Sequence, residues 1–245
     1  MATYSNTTFD WSLLNRDSIA GFLYTLAPEI ANQSLTVVEF HTKITKLLKK
    51  YIPVRVRKSY NIKVDPGFVF IGGTYYSGYD EDNVKCIEIV FEYRTDQKIL
   101  TLSKKRFAGI CINIADTMLH EVIHMRQFRR RNFKYLPDYA SNAEKTKLRE
   151  EQSYLGCSDE IDAYGFNIAC ELMDKFKSDQ TAVIEYLNEN QQGKHRRHNS
   201  WRMYLKAFEH DHNHPILQRV KKKVVRYMAA YALGKPYRNK DWINW

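Results

Sequence analysis

The chain has 245 residues, 44% of them hydrophobic and 27% charged, enough to bury a core as one large domain or two smaller lobes. Its 38 Lys and Arg against 28 Asp and Glu give a formal net charge of +10, which admits nucleic acid as a partner without requiring it. There is no long uncharged apolar run and no basic-then-apolar leader in "MATYSNTTFDWS", so the expectation is a cytoplasmic, intracellular protein outside the membrane. Cys86, Cys111, Cys157 and Cys170 form no C-x-x-C pair, which argues against a zinc ribbon and a disulfide framework and predicts reduced, mostly buried thiols.

In chain order, "SLTVVEFHTKITKLLKKY" (34–51) predicts a helix capped by Ser34, with Val37, Phe40, Ile44, Leu47 and Leu48 at helical spacing and Pro53 ending the run. The period then switches: alternation in "VRVRKSYNIKVD" and "VKCIEIVFEY", the glycine-punctuated "GFVFIGGTYY" and the short "KILTLS" predict three or four antiparallel strands over 54–102. Ser103 reads as the cap of a proline-free helix reaching about Arg131, with a short strand at "GICINI" and a cap at Asp116 as the competing reading. Phe107, Cys111, Ile114, Met118, Val122 and Met125 form its core-facing stripe. Asn113, Thr117, His120, His124, Gln127 and Arg131 form a polar stripe opposite. Residues 135–158 read as loops or a short helix. Further helices are predicted over 159–176, with Ile161, Tyr164, Ile168, Leu172 and Phe176 inward, and after Pro215, with Ile216, Val220, Val224, Tyr227 and Tyr231 inward and Gly234 as the stop. No linker, repeat or low-complexity tract interrupts the chain, so a single α+β domain over 1–245 is expected: N-terminal helices and sheet (1–102), metal-site helices (103–176) and a helical C-terminal part (177–245).

The chemistry concentrates in "TMLHEVIHMRQ" (117–127). On a helix, His120 and His124 lie one turn apart on one face and can each aim a ring nitrogen at one ion, for which zinc is the natural guest. Glu121, rotated by about 100° from His120, is poorly placed as a ligand but can take the proton of an attacking water. Chance alone yields an H-E-x-x-H in on the order of 1% of chains this long, so context decides, and here the motif sits on a helix after a run of strands. A catalytic zinc takes a third protein ligand and keeps a position open. Glu160 in "SDEIDAYGF" fits that role, near the start of the next helix and beside the small Ala163. Asp159 and Asp162 compete, Asp162 also as an acceptor for a ligand imidazole, and helix capping accounts for the acidic trio without any metal. His195 and His198 are the remaining alternatives, in an arginine-rich setting that opposes a cation.

"HEVIH" followed by "DEIDAYGFNIACEL" resembles the zincin metallopeptidases whose third ligand is a glutamate on a second helix. The spacing of Glu160, Ala163 and Phe166 is similar to the ligand helix of the ImmA/IrrE-type peptidases, and "DTMLHEVIHMRQFRRR" resembles the active-site helix of SprT-like and phage-encoded peptidases. The resemblance covers about 60 of the 245 residues. It implies a zincin-like fold with a small antiparallel sheet on the HEVIH helix and one zinc per chain held by His120, His124 and Glu160. It also implies Glu121 as base and a peptide substrate laid along the sheet edge. Tyr164 stands where ImmA/IrrE-type chains carry Asn or Asp, and SprT-like chains use a third histidine.

Zincins of this sort also need a donor to the developing oxyanion, for which Tyr204, His210, His212 and His214 are candidates. The last three, in "FEHDHNHP", alternatively read as a second metal site or as a polar turn. The basic clusters at 129–131, 194–198 and 221–223, with "RQFRRRNFKY" and "WRMYLKAF", admit contact with single-stranded nucleic acid, against the reading of Phe128, Phe133, Trp201 and Phe208 as core anchors. No G-x-S-x-G, G-x-G-x-x-G or phosphate loop is present. The expected function is a zinc-dependent peptidase. The alternative is a basic nucleic-acid-associated protein on a zincin scaffold, its metal structural or absent.

Overall fold

The computed structural model describes residues 15–136, 147–189 and 199–232 and separates the chain into two units, Met1–Phe133 and Lys134–Trp245. In chain order the first holds α1 (Arg16–Tyr24), α2 (Ala27–Ile30), β1 (Ser34–Thr36), α3 (Val37–Tyr51), β2 (Arg55–Tyr60), β3 (Val69–Tyr75), α4 (Ser77–Glu81), β4 (Ile87–Tyr93), β5 (Ile99–Thr101) and α5 (Lys104–Arg130). The fold is α+β, with small sheets packed against the long helix α5 that carries the histidine motif.

Helix α3 begins two residues later than its sequence suggests. Thr36, not Ser34, is the cap: its hydroxyl accepts from the Glu39 backbone, and the Glu39 carboxylate accepts from the Thr36 N–H, a reciprocal capping box. Ser34 instead opens β1, which pairs antiparallel with β5. Val37, Phe40, Ile44 and Leu48 are buried, and Leu47 is half-buried.

The remaining strands form a three-stranded sheet in the order β2-β4-β3. β3 and β4, joined through the short α4, pair antiparallel, as expected. β2 instead pairs parallel with β4, because the chain between them is long enough to cross over, so the sheet is mixed. Central β4 alternates: Ile87, Ile89, Phe91 and Tyr93 are fully buried, while Glu88, Val90 and Glu92 point to the other face.

Ser103 caps α5 as the sequence predicts, accepting from the Arg106 N–H, and the helix runs unbroken through "GICINI". All six residues of the predicted apolar stripe are buried. The opposite stripe departs from expectation, because every residue from Met118 to Met125 is buried, His120, Glu121 and His124 included. A helix enclosed all round is a core element, and polar groups on it need partners or a function. Ionic links fix its position. Arg129 forks onto Asp80 with both N–H···O distances under 3 Å, Tyr75 donates to the same carboxylate, and Arg16 grips Asp116.

The second unit holds α6 (Lys147–Gly156), α7 (Ser158–Lys175), α8 (Gln180–Asn188), α9 (Ser200–Ala207) and α10 (Pro215–Ala232). Helix α7 realises the helix predicted over 159–176, with Ile161, Ile168 and Leu172 buried and Tyr164 and Phe176 half-buried. It packs on α10 so closely that a β-carbon on Gly165 would lie 2.6 Å from Cβ of Lys223, and Asp162 accepts from Lys223 and Tyr227. Pro215 occupies the first position of α10. Leu217, Val220, Val224, Tyr227 and Met228 are buried and Ile216 half-buried, while the Tyr231 side chain and Gly234 lie outside the described residues. All four cysteines are free and buried, as predicted, and burial pushes the Cys111 thiol up to about 12. No helix among the described residues is long and apolar enough to cross a membrane.

Removing the capping hydroxyl by Thr36→Ala is expected to destabilise the protein by about 1 kcal/mol in urea unfolding. Ser34→Ala, at the position the sequence alone favours as the cap, should cost well under half as much.

Candidate metal centre

Helical spacing does for His120 and His124 what their sequence predicts. Their Nε2 atoms face one another 3.1 Å apart, and both rings are buried. Two nitrogens bound to one tetrahedral zinc at about 2.05 Å sit roughly 3.3 Å from each other, so this pair already spans the distance that the ion sets. The tautomer of His124 is fixed by a neighbour that the motif does not include. Gln127 Oε1 lies 2.9 Å from His124 Nδ1, and a carboxamide oxygen can only accept, so Nδ1 carries a proton, which in the neutral ring leaves the Nε2 lone pair to face His120. Gln127 is an acceptor for a ligand imidazole that the sequence reading does not single out, and its position one turn beyond His124 on the polar stripe is the available signal.

Among the described residues, His120, His124 and Glu160 form the one group able to hold a metal ion, with a ligand atom of each within 4.8 Å of the others. All three residues are buried. Two neutral imidazoles and a carboxylate are the donor set that zinc accepts, and a divalent cation offsets the cost of sinking these polar groups in the interior. Asp159 is also buried but stands outside this group. The cap of α7 is Cys157, which makes no side-chain capping bond, so Asp159 and Glu160 occupy the first turn rather than the cap. There their charge still complements the helix dipole.

Glu121 projects toward the sheet. A β-carbon on Gly73 of β3 would lie 2.7 Å from both Cγ and Oε1 of Glu121 and 2.8 Å from Cγ2 of Thr117, closer than real β-carbon contacts. Only a glycine admits the carboxylate here. The Gly-Gly of β3 reads in sequence merely as punctuation of an apolar strand, and nothing in one sequence tells which helix residue lies against it.

The expected oxyanion donors fare differently. Tyr204 is buried and donates to the Leu155 carbonyl at 3.0 Å, and His214 Nδ1 accepts from the Ile216 N–H at the start of α10. The His212 ring edges onto Trp201, and burial, with Lys221 and His210 nearby, lowers its basicity. His210, His212 and His214 do not form a ligand group. His195 and His198 lie outside the described residues. A phenol that sequence reasoning passed over, Tyr154 on α6, shares hydrogen bonding with Tyr164 and Glu160. Although 47% of the residue is exposed, desolvation of its hydroxyl foremost, then these neighbours, raises its pKa and keeps the phenol protonated.

The aromatic residues of the basic segments are mostly core anchors. Phe128, Trp201 and Phe208 are buried and Phe133 half-buried. Arg129 is tied to Asp80, Arg131 lies over the Phe128 ring, Lys223 reaches Asp162 and Lys221 reaches Asn188. The cluster at 194–198 lies outside the described residues.

Comparison of the chain with protein-family models, curated proteins and solved structures gives no match in any of the three. The class therefore rests on geometry: His120-Glu121-x-x-His124 on a buried helix, grouped with Glu160, matches a zincin metal site.

Gln127→Ala should leave the ligands in place yet lower zinc affinity roughly 10–100-fold, read by competition with a chromogenic chelator. An unchanged affinity would show that the bond to His124 Nδ1 plays no part in holding the ring.

Proposed function

We propose that the chain is a zinc metallopeptidase holding one zinc per chain through His120, His124 and Glu160. The observation that carries this reading is the burial and mutual approach of these three donors. Zinc, when bound, supplies Lewis acidity, which lowers the pKa of water toward ~7 and polarises a carbonyl. Glu121 takes the proton from the attacking water and passes it to the leaving amine. Tyr154 donates its phenol to the developing oxyanion, the role for which sequence reasoning offered Tyr204, His210, His212 or His214.

The strand order supports a peptide as substrate. β3 lies at the edge of its sheet, paired only with β4 among the described strands, and its Gly73 abuts Glu121. An extended peptide can add to that edge by main-chain hydrogen bonds and so pass beside the general base.

Elemental analysis of purified protein should find about one zinc per chain in the wild type and none in His120→Ala or Glu160→Ala. Glu121→Gln should retain zinc and fold while losing hydrolysis of a casein or peptide-library substrate by at least a hundredfold. No zinc uptake by the wild type would end the reading.

Gly73→Ala provides a second test. It should keep zinc but cut turnover by more than tenfold, because the added methyl displaces the Glu121 carboxylate. Undiminished turnover in that variant would mean that Glu121 works from another position.

A further inference from the structure

The face of the β2-β4-β3 sheet that carries Glu88, Val90 and Glu92 holds a feature that the proposed chemistry does not use. A cavity of about 370 Å³, at the small end of ligand-binding pockets, opens beside the start of β3. Its lining includes Asn61, Lys63, Asp65, Phe68, Phe70 and Glu92. Phe70 is 60% exposed and Phe68 52%, unusual for two phenylalanines two residues apart. Phe70 leans over Gly72, where a β-carbon would be in ordinary contact with its ring at 3.5 Å.

Two carboxylates face the same space. Glu92 accepts from the Asn61 carboxamide at 3.1 Å, a neutral partner that leaves its charge in place. Neither Glu92 nor Asp65 is engaged by a basic side chain among the described residues. Lys63, the basic group of the lining, is exposed. A pair of carboxylates beside aromatic faces selects an organic cation, and a guanidinium best, since it stacks on a ring while forking onto a carboxylate. Phe68 already holds one guanidinium, that of Arg106, 4.8 Å from its ring centre.

The position relates this cavity to the edge strand. Phe70 and Gly73 belong to β3 and stand three residues apart, about 10 Å along the strand. A peptide paired with that edge and cleaved beside Glu121 therefore presents a residue about three positions from the cleaved bond to Phe70 and Glu92.

We propose that this cavity is a specificity subsite for an arginine side chain of the peptide substrate. The inference rests on the peptidase reading, and its test separates the two. Zinc-loaded Glu121→Gln protein, which does not turn over, is titrated with fluorescein-labelled twelve-residue Ser/Gly/Ala peptides carrying one arginine, and with counterparts carrying citrulline. Arginine peptides should bind about tenfold more tightly, and that advantage should disappear on adding Glu92→Gln or Phe70→Ala. Glu92→Gln retains an acceptor for Asn61, and unchanged thermal unfolding of both variants checks the fold. Equal binding of arginine and citrulline peptides, or an advantage that survives both substitutions, overturns the subsite. If wild-type protein cleaves peptides without regard to arginine, the subsite falls and the peptidase stands. If arginine-dependent binding appears but wild-type protein cleaves nothing, the cavity is a guanidinium site and the peptidase reading falls.

Discussion

Sinking imidazoles and carboxylates into a protein interior is unfavourable unless something replaces the water they lose. That constraint governs the middle of α5, where His120, Glu121 and His124 lie on a helix enclosed on every side. An apolar residue at each position would give a better core, and Met118, Val122 and Met125 show what such a core looks like one step around the helix. The polar residues are tolerated because each has a directed environment. Gln127 accepts a hydrogen bond from His124 Nδ1–H, the two Nε2 atoms face each other 3.1 Å apart with a Glu160 carboxylate oxygen within 4.8 Å, and Glu121 fits into the space that Gly73 leaves.

Holding that arrangement requires a rigid frame, and the frame is supplied on both flanks of the motif. Toward the N-terminal half of α5, Arg16 grips Asp116, one turn before His120. Toward the C-terminal end, Arg129 forks onto Asp80, a carboxylate that is almost wholly buried and also accepts from Tyr75 at the end of β3. The second link connects the strand bearing Gly73 to the helix bearing Glu121, so the fit between strand and carboxylate is set by a bidentate ion pair rather than by apolar packing alone. Bidentate geometry is directional in a way that dispersion is not.

Local signals are largely legible in this sequence, and tertiary ones are not. Ser103 and the uninterrupted 3.6-residue period made α5 legible, and the His-Glu-x-x-His spacing on it made the histidine pair legible, because both depend only on neighbours within a turn or two. The Ser34 cap was misplaced because two hydroxyl residues compete there, and what decides for Thr36 is Glu39 three positions on, while Ser34 is drawn into pairing with Thr101 far away in sequence. The parallel pairing of β2 with β4 was not legible, since strand alternation reveals which residues share a face but not the direction of the partner. Burial of His120, Glu121 and His124 is illegible for the same reason. Helical periodicity separates two faces, but it cannot tell whether the second face meets water or more protein.

The two roles of the motif are separated by its own geometry. His120 and His124 are one turn apart and point together, while Glu121 is turned by about a quarter of a revolution and points at β3. On the peptidase reading proposed above, a peptide added to the edge of β3 would meet Glu121 from the sheet side, and strand register would translate into the position of the cleaved bond. Shifting a strand by one residue reverses which side chains face which surface, so a pocket three residues from Gly73 on the outward face can discriminate only if the register holds. On the proposed reading, the exposed Phe70 and the Glu92 carboxylate at that spacing would select both a side chain and a register. The same contact would supply recognition and alignment together.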